Sequence, residues 1–142
     1  MQMQDRLVRR WVLVALVYFV AAVSLGVIMA ASHDFRLKGV HVHLNLLGWV
    51  SMALTAFVYR LFPAACAGFG ARVHFWLYNA ALPVMAVSLG GLLLGDPRFE
   101  PAVAASSVAM LMAIVTFVVT VYRNSSQQAA QPAGELGLRN AV

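Results

Sequence analysis

The chain has 142 residues, of which 62% are hydrophobic and 11% charged, and it carries a formal net charge of +5. A chain with a mean hydropathy of +0.81 cannot cover itself with a water-compatible surface, so the composition excludes an ordinary soluble domain and predicts an integral membrane protein. In a soluble protein this net charge would suggest a nucleic-acid partner. Here the charges flank apolar segments, and we expect the partner to be the lipid bilayer, not nucleic acid.

Four segments are long enough to cross the membrane. A spanning helix needs about 20 mainly apolar residues, because every backbone polar group must be satisfied within its own segment. The segments that qualify are 11–31, 39–62, 73–95 and 101–122. The predicted fold class is therefore all-α: a polytopic membrane protein with four transmembrane helices in one domain, residues 1–123. Residues 124–142 are rich in Ser, Gln, Ala and Gly and are expected to form a mobile cytoplasmic tail.

The basic residues are distributed unequally between the two sides of these spans. One side carries Arg6, Arg9, Arg10, Arg60, Arg72, Arg123 and Arg139, and the other carries Arg36, Lys38 and Arg98. The positive-inside rule then places both termini in the cytoplasm and the protein in the cytoplasmic (inner) membrane. The single cysteine, Cys66, falls in a cytoplasmic loop, which excludes an intramolecular disulfide and argues against a cysteine-based metal site.

The loop after the first span, residues 32–38, contains His33, which we expect to be a solvated loop residue, with a place near a cofactor edge as the alternative. The second span opens with His41 and His43. A histidine inside a spanning helix is costly, so function is its default interpretation, and neutral imidazole is a good ligand for iron, copper and zinc. The alternative is a pair of interfacial histidines partnered by water and backbone carbonyls.

Helix geometry limits what these two histidines can do together. Successive residues of an α-helix turn by about 100°, so His41 and His43 point to faces roughly 200° apart and cannot hold one metal from a straight helix. Each must meet a different partner. Gly48, further along, would let a flat ligand or a neighbouring helix approach closely, and Trp49 falls near the His41 face.

The third span starts near His74, which we interpret as an interfacial or packing residue, with a second site as the alternative. Pro83 is expected to kink this span unless neighbours satisfy the carbonyl that it frees. The exterior turn that follows contains Arg98, a candidate partner for a carboxylate. Ser106 and Ser107 in the fourth span are small residues that permit close helix packing.

The stretch from His41 to Val50, with its continuation from Tyr59 to Pro63, resembles the tenth helix of haem-copper oxidase catalytic subunits, particularly the C-type oxidases and nitric oxide reductases. The residues from His74 to Leu77 are similar to the start of the next helix in that family, and the turn from Gly95 to Arg98 is similar to a loop whose arginines bind haem propionates.

This resemblance implies a b-type haem whose iron is bound by His41 and His43, with Gly48, Trp49 and Arg98 beside it; copper is the less favoured metal. In the family the first histidine ligates the haem of the active site and the second ligates the electron-transfer haem. The histidines that bind the family's second metal have no counterparts here, so we do not expect this chain alone to reduce oxygen or nitric oxide, and whether it is an enzyme stays open.

The family's helices form three similar four-helix groups around a pseudo-threefold axis. We therefore expect this chain to act as one such unit in a homo-oligomer, favouring a trimer over a dimer, with a haem shared between His43 of one copy and His41 of the next. The expected function is electron transfer or haem redox chemistry with a redox partner. The alternatives are diatomic gas sensing, haem handling without turnover, and a structural membrane protein without a cofactor.

Overall fold

The computed structural model describes residues 3–129, and within that range the chain is helical without any β-strand. The elements, in chain order, are α1 (Met3–Ser32), α2 (Lys38–His43), a π-helical segment (Leu44–Ser51), α3 (Met52–Leu61), α4 (Pro63–Ala67), α5 (Phe69–Leu93), a 3₁₀ turn (Pro97–Phe99) and α6 (Glu100–Ala129). The second span is therefore one continuous helical rod built from α2, the π segment and α3.

Four helical stretches are long and apolar enough to cross a membrane: Gln4–Ser32, Lys38–Leu61, Phe69–Leu93 and Pro97–Ser125. This confirms the predicted all-α fold with four helices long and apolar enough to span a membrane, as a multi-pass membrane protein requires. The first and fourth helices extend past the predicted spans: α1 begins at Met3, and α6 continues to Ala129 and so includes the first residues of the predicted tail. The rest of that tail, 130–142, lies outside the described residues.

Contacts near both ends of α1 and the second span establish their up-and-down arrangement. At one end of the first pair, Arg60 Nη1 lies 3.0 Å from Asp5 Oδ1. At the other end, His41 Nδ1 lies 2.9 Å from the Ala22 carbonyl oxygen. α1 and the second span are therefore antiparallel neighbours. Gly95, with a φ of 102°, closes the turn between α5 and α6 in a conformation that favours glycine.

The interior of the bundle is filled by a few large side chains. The largest ones that are fully buried are Trp11, Tyr59, Tyr78, Met52, Leu82 and His74. Because lipid is as apolar as the protein interior, such packing and the hydrogen bonds between helices hold a membrane bundle together more than hydrophobic transfer does. α5 runs without interruption through Pro83. The loop after the second span contains α4, in which Cys66 is buried.

Gly48 is the point at which the second span lies closest to α1. A Cβ atom added at Gly48 would lie 2.7 Å from both Cβ and Cγ of Tyr18. These two atoms are fixed close to the α1 backbone and cannot swing away. Only glycine lets the two helices keep this separation, so of the two occupants expected at Gly48, the neighbouring helix is the one observed.

We predict that Gly48→Ala lowers the free energy of unfolding in detergent by about 1–3 kcal/mol, because α1 must move to admit the methyl group. Thermal denaturation of the purified chain measures this. Gly90→Ala is the matched control: its added Cβ would meet Val40 Cγ2 at 3.7 Å, an ordinary contact. Equal stability of the two variants would contradict the close helix contact at Gly48.

Candidate functional site

His41 lies between the second span and α1. Its Nδ1 atom is 2.9 Å from the carbonyl oxygen of Ala22, and since a carbonyl only accepts hydrogen bonds, the proton sits on Nδ1. Its Nε2 atom faces the side-chain amide of Asn45 at 3.3 Å, a long contact. A Cβ added at Gly26 would lie 2.9 Å from Cε1 of the imidazole, so the ring rests against bare α1 backbone.

His43 is held by its own helix. Its Nδ1 lies 2.8 Å from the carbonyl oxygen of Gly39, one turn earlier, which again places the proton on Nδ1. Across residues 3–129 no hydrogen bond reaches its Nε2. A histidine with Nδ1–H donated to a backbone carbonyl and Nε2 unengaged has the tautomer and fixed ring orientation typical of metal-ligating histidines.

The two histidines keep the angular offset that their spacing predicts. The chain is regular α-helix through His43, and the π segment begins only at Leu44. His41 is directed to α1, whereas His43 folds back along its own helix. The geometry therefore gives two separate imidazoles, of which only His43 has a ring nitrogen without a hydrogen-bond partner among the described residues.

Trp49, like Gly48, faces α1. Its ring stacks on that of Phe19 with centroids 4.7 Å apart and an interplanar angle of 33°. Together with His41, these residues form the contact surface between α1 and the second span. Three of the five candidate site residues thus serve helix packing in this structure, and His43 and Arg98 do not belong to that surface.

Arg98 lies in the turn before α6 and is 88% exposed at its side chain. Its Nε and Nη2 atoms donate to the Asp96 carboxylate at 2.9 and 2.7 Å, and this bonding lowers the pKa of Asp96. The turn after α1 repeats the arrangement: Arg36 binds Asp34 and holds the pKa of that carboxyl at about 2. Arg98 is thus already set to bind a carboxylate in bidentate fashion.

His33, in the same turn as Asp34, is exposed with a φ of 52°.

His74 is 1% exposed and lies at the centre of the bundle. Its Nδ1 atom is 3.0 Å from the hydroxyl of Tyr59. Aromatic rings surround the imidazole, with centroids 4.8 Å away for Trp11 and 5.0 Å for Phe117. His74, interpreted from the sequence as an interfacial or packing residue, is packed among aromatic side chains in the interior of the bundle.

A cavity of about 240 Å³ adjoins His74, in a cleft between the second span, α5 and α6. It is lined by Ser51, Leu54, Thr55, Val58, His74, Tyr78, Ile114 and Phe117. Sequence reasoning missed this site. The signal was available, because the polar residues Ser51, Thr55 and Tyr59 recur every four positions on one span and His74 and Tyr78 do so on another, which places each set on one helix face.

Across residues 3–129, no group of three or more His, Cys, Asp or Glu side chains is arranged to hold a metal ion. No family model, curated protein or solved structure matches the chain.

We predict that Tyr59→Phe lowers the free energy of unfolding by about 0.6–1.7 kcal/mol, the range for hydrogen bonds between membrane helices, because His74 Nδ1 loses its partner. Thermal denaturation in detergent measures the change. Tyr18→Phe is the control, since no hydrogen bond of the Tyr18 hydroxyl is present in the described part of the chain. A Tyr59→Phe variant as stable as Tyr18→Phe would show that the Tyr59–His74 bond adds nothing to stability.

Proposed function

We propose that the chain binds a b-type haem through His43 and acts in electron transfer within the membrane. The single observation that carries the proposal is the state of the His43 ring: its Nδ1–H is anchored on the Gly39 carbonyl at 2.8 Å, and among the described residues no hydrogen bond reaches its Nε2. A porphyrin supplies four nitrogen ligands itself, so one or two imidazoles complete the iron site. When bound, such a haem carries one electron at a time by cycling between ferrous and ferric iron.

The second axial nitrogen comes, in this proposal, from His41 of another copy of the chain. His41 also carries its proton on Nδ1, so its Nε2 lone pair is directed away from that anchor. Its partner there, the Asn45 amide, is 3.3 Å away and also donates to the His41 carbonyl at 3.0 Å. Asn45 can therefore release Nε2 and keep a hydrogen bond. The assembly that follows is a closed homo-oligomer, with a trimer favoured over a dimer.

Arg98 has a supporting role toward the haem propionates. Its guanidinium already binds one carboxylate with two nitrogens, and its exposure leaves room for a second. A propionate would replace or join Asp96 as the acceptor. Charge pairing at this end of the bundle would orient the haem without contributing an iron ligand.

A haem bound by His43 alone is the second candidate, and one observation favours it: Asn45 occupies Nε2 of His41. The iron would then keep an open coordination position, which suits diatomic gas sensing or haem handling without turnover. The two candidates share the same His43 ligand and differ only in the sixth position.

We expect the chain purified from haem-replete cells to show the visible spectrum of a six-coordinate b-type haem. His43→Ala should abolish this spectrum, and His41→Ala should reduce it to a five-coordinate form. His33→Asn is the control, because asparagine tolerates the left-handed conformation found at that exposed position. A colourless wild-type protein, or a His43→Ala variant with an unchanged six-coordinate spectrum, would overturn the proposal.

Carbon monoxide added to the reduced protein separates the two candidate functions. An unchanged visible spectrum favours electron transfer, and a shifted one favours gas binding.

The orientation is also a proposal: both termini in the cytoplasm of a cell whose inner membrane holds the protein. It is supported by Arg6, Arg9, Arg10, Arg60, Arg72 and Arg123 flanking the spans at one end of the bundle, against Arg36, Lys38 and Arg98 at the other.

In a Cys66→Ala background, we expect a cysteine introduced at the exposed Phe35 to react with a membrane-impermeant maleimide on cells with a permeabilised outer layer and an intact inner membrane. Phe69→Cys, in the exposed turn at the opposite end, is the matched control and should react only after the inner membrane is broken. The reverse pattern of labelling would invert the topology.

A further inference from the structure

The cavity beside His74 has the size of a binding site for one ring. A cavity of about 150 Å³ is enough to hold benzene inside a protein, and this one measures about 240 Å³. It lies toward the end of the second span opposite to His43, so it is separate from the proposed haem ligand. Most of its lining is apolar, with a few polar groups among aliphatic and aromatic side chains.

Two of those polar groups lack hydrogen-bond partners within residues 3–129. Ser88 and Ser106, which are also buried, each donate to the carbonyl one turn earlier at 2.7 Å. The Thr55 hydroxyl makes no such bond although Thr55 is only 5% exposed. Nε2 of His74 likewise has none. In the described part of the chain, Trp11 Nε1 is the one side-chain nitrogen or oxygen that is both fully enclosed by protein and without a hydrogen-bond partner. The Thr55 hydroxyl and His74 Nε2 also lack partners, so they must border open space.

The Tyr59–His74 contact determines what the imidazole presents to the cavity. Tyr59 is fully buried, and within residues 3–129 its hydroxyl has His74 as its one partner, so it satisfies its donor by giving a hydrogen bond to Nδ1. The ring proton then sits on Nε2, which becomes a donor. Rotation of the Tyr59 hydroxyl with a tautomer change would turn Nε2 into an acceptor. His74 Nε2 can therefore donate a hydrogen bond to a carbonyl oxygen of a ligand or, in the other tautomer, accept one from a hydroxyl group.

The cavity opens on the side of the bundle that faces lipid. Leu54 at its edge is 57% exposed and Ile114 is 39% exposed, and both lie within membrane-spanning stretches. A ligand would therefore enter from the hydrocarbon phase. The ligand must be apolar enough to dissolve in that phase and flat enough for a cleft between helices. It must also carry oxygen atoms that accept hydrogen bonds from the Thr55 hydroxyl and His74 Nε2–H.

We propose that this cavity binds the ring of a lipid-soluble quinone, with its carbonyl oxygens accepting hydrogen bonds from His74 Nε2–H and the Thr55 hydroxyl. The assignment concerns binding alone, and it does not depend on a haem at His43. A quinone fits better than a lipid tail because a hydrocarbon chain would leave both donors unsatisfied in a low-dielectric site, which is costly. It also fits better than a charged ligand, since the lining contains no Asp, Glu, Lys or Arg side chain.

The test uses the full chain in detergent and a 1,4-benzoquinone carrying a decyl chain as the probe. Trp11 contacts His74 with ring centroids 4.8 Å apart, so a quinone in the cavity should quench its fluorescence. We expect saturable quenching with a defined Kd. Thr55→Val, which keeps the side-chain shape, should raise that Kd roughly three- to tenfold. Thr116→Val is the matched control, because the Thr116 hydroxyl is exposed and donates to its own helix at 2.7 Å.

A second variant separates the cavity from the detergent micelle. Val58 lines the cavity, and Val58→Phe should fill it and remove the saturable component. Quenching that rises linearly with probe concentration and is the same in wild type, Thr55→Val and Val58→Phe would show that the quinone only partitions into the micelle. Equal Kd values for Thr55→Val and Thr116→Val would also overturn the assignment.

Discussion

The hydrogen bond between the Tyr59 hydroxyl and His74 Nδ1 joins the second span to α5 in the buried interior of the bundle. α1 packs along the second span, and α5 packs along α6. These two pairs meet mainly through large side chains from all four spans, with Trp11 and Phe117 on either side of the imidazole. In a membrane, moving an apolar side chain from lipid into the protein interior gains little free energy. A hydrogen bond where the two helix pairs meet therefore fixes the pairs in one register. It also leaves His74 Nε2 without a hydrogen-bond partner within residues 3–129.

The two histidines of the second span illustrate how one short motif serves two purposes. His41 contributes to the packing of α1, next to Gly26, much as Gly48 and Trp49 do further along. His43 does not take part in that packing, and its ring is positioned by its own helix. His41 and His43 therefore have different surroundings in the fold, even though they are two residues apart.

The number of spans and their up-and-down order were predictable because apolar length and charge flanks are properties of the sequence alone. The offset between His41 and His43 was predictable because α-helical geometry holds as far as His43. The partner of Gly48 was left open, since glycine permits a ligand and a helix equally, and only tertiary packing places Tyr18 there. The cavity was missed because Thr55 and His74 come together across two spans, and no local pattern states how two helices face each other.

The π segment Leu44–Ser51 separates the histidine end of the second span from the end that lines the cavity. A π-helix turns less per residue than an α-helix, since each bond spans five residues instead of four. The direction of Thr55 and Tyr59 relative to His43 is therefore set by the length of this segment. A one-residue insertion or deletion within it would re-aim the whole cavity face while leaving the histidines in place. The π segment therefore fixes how the two ends of this continuous helical span are oriented relative to each other.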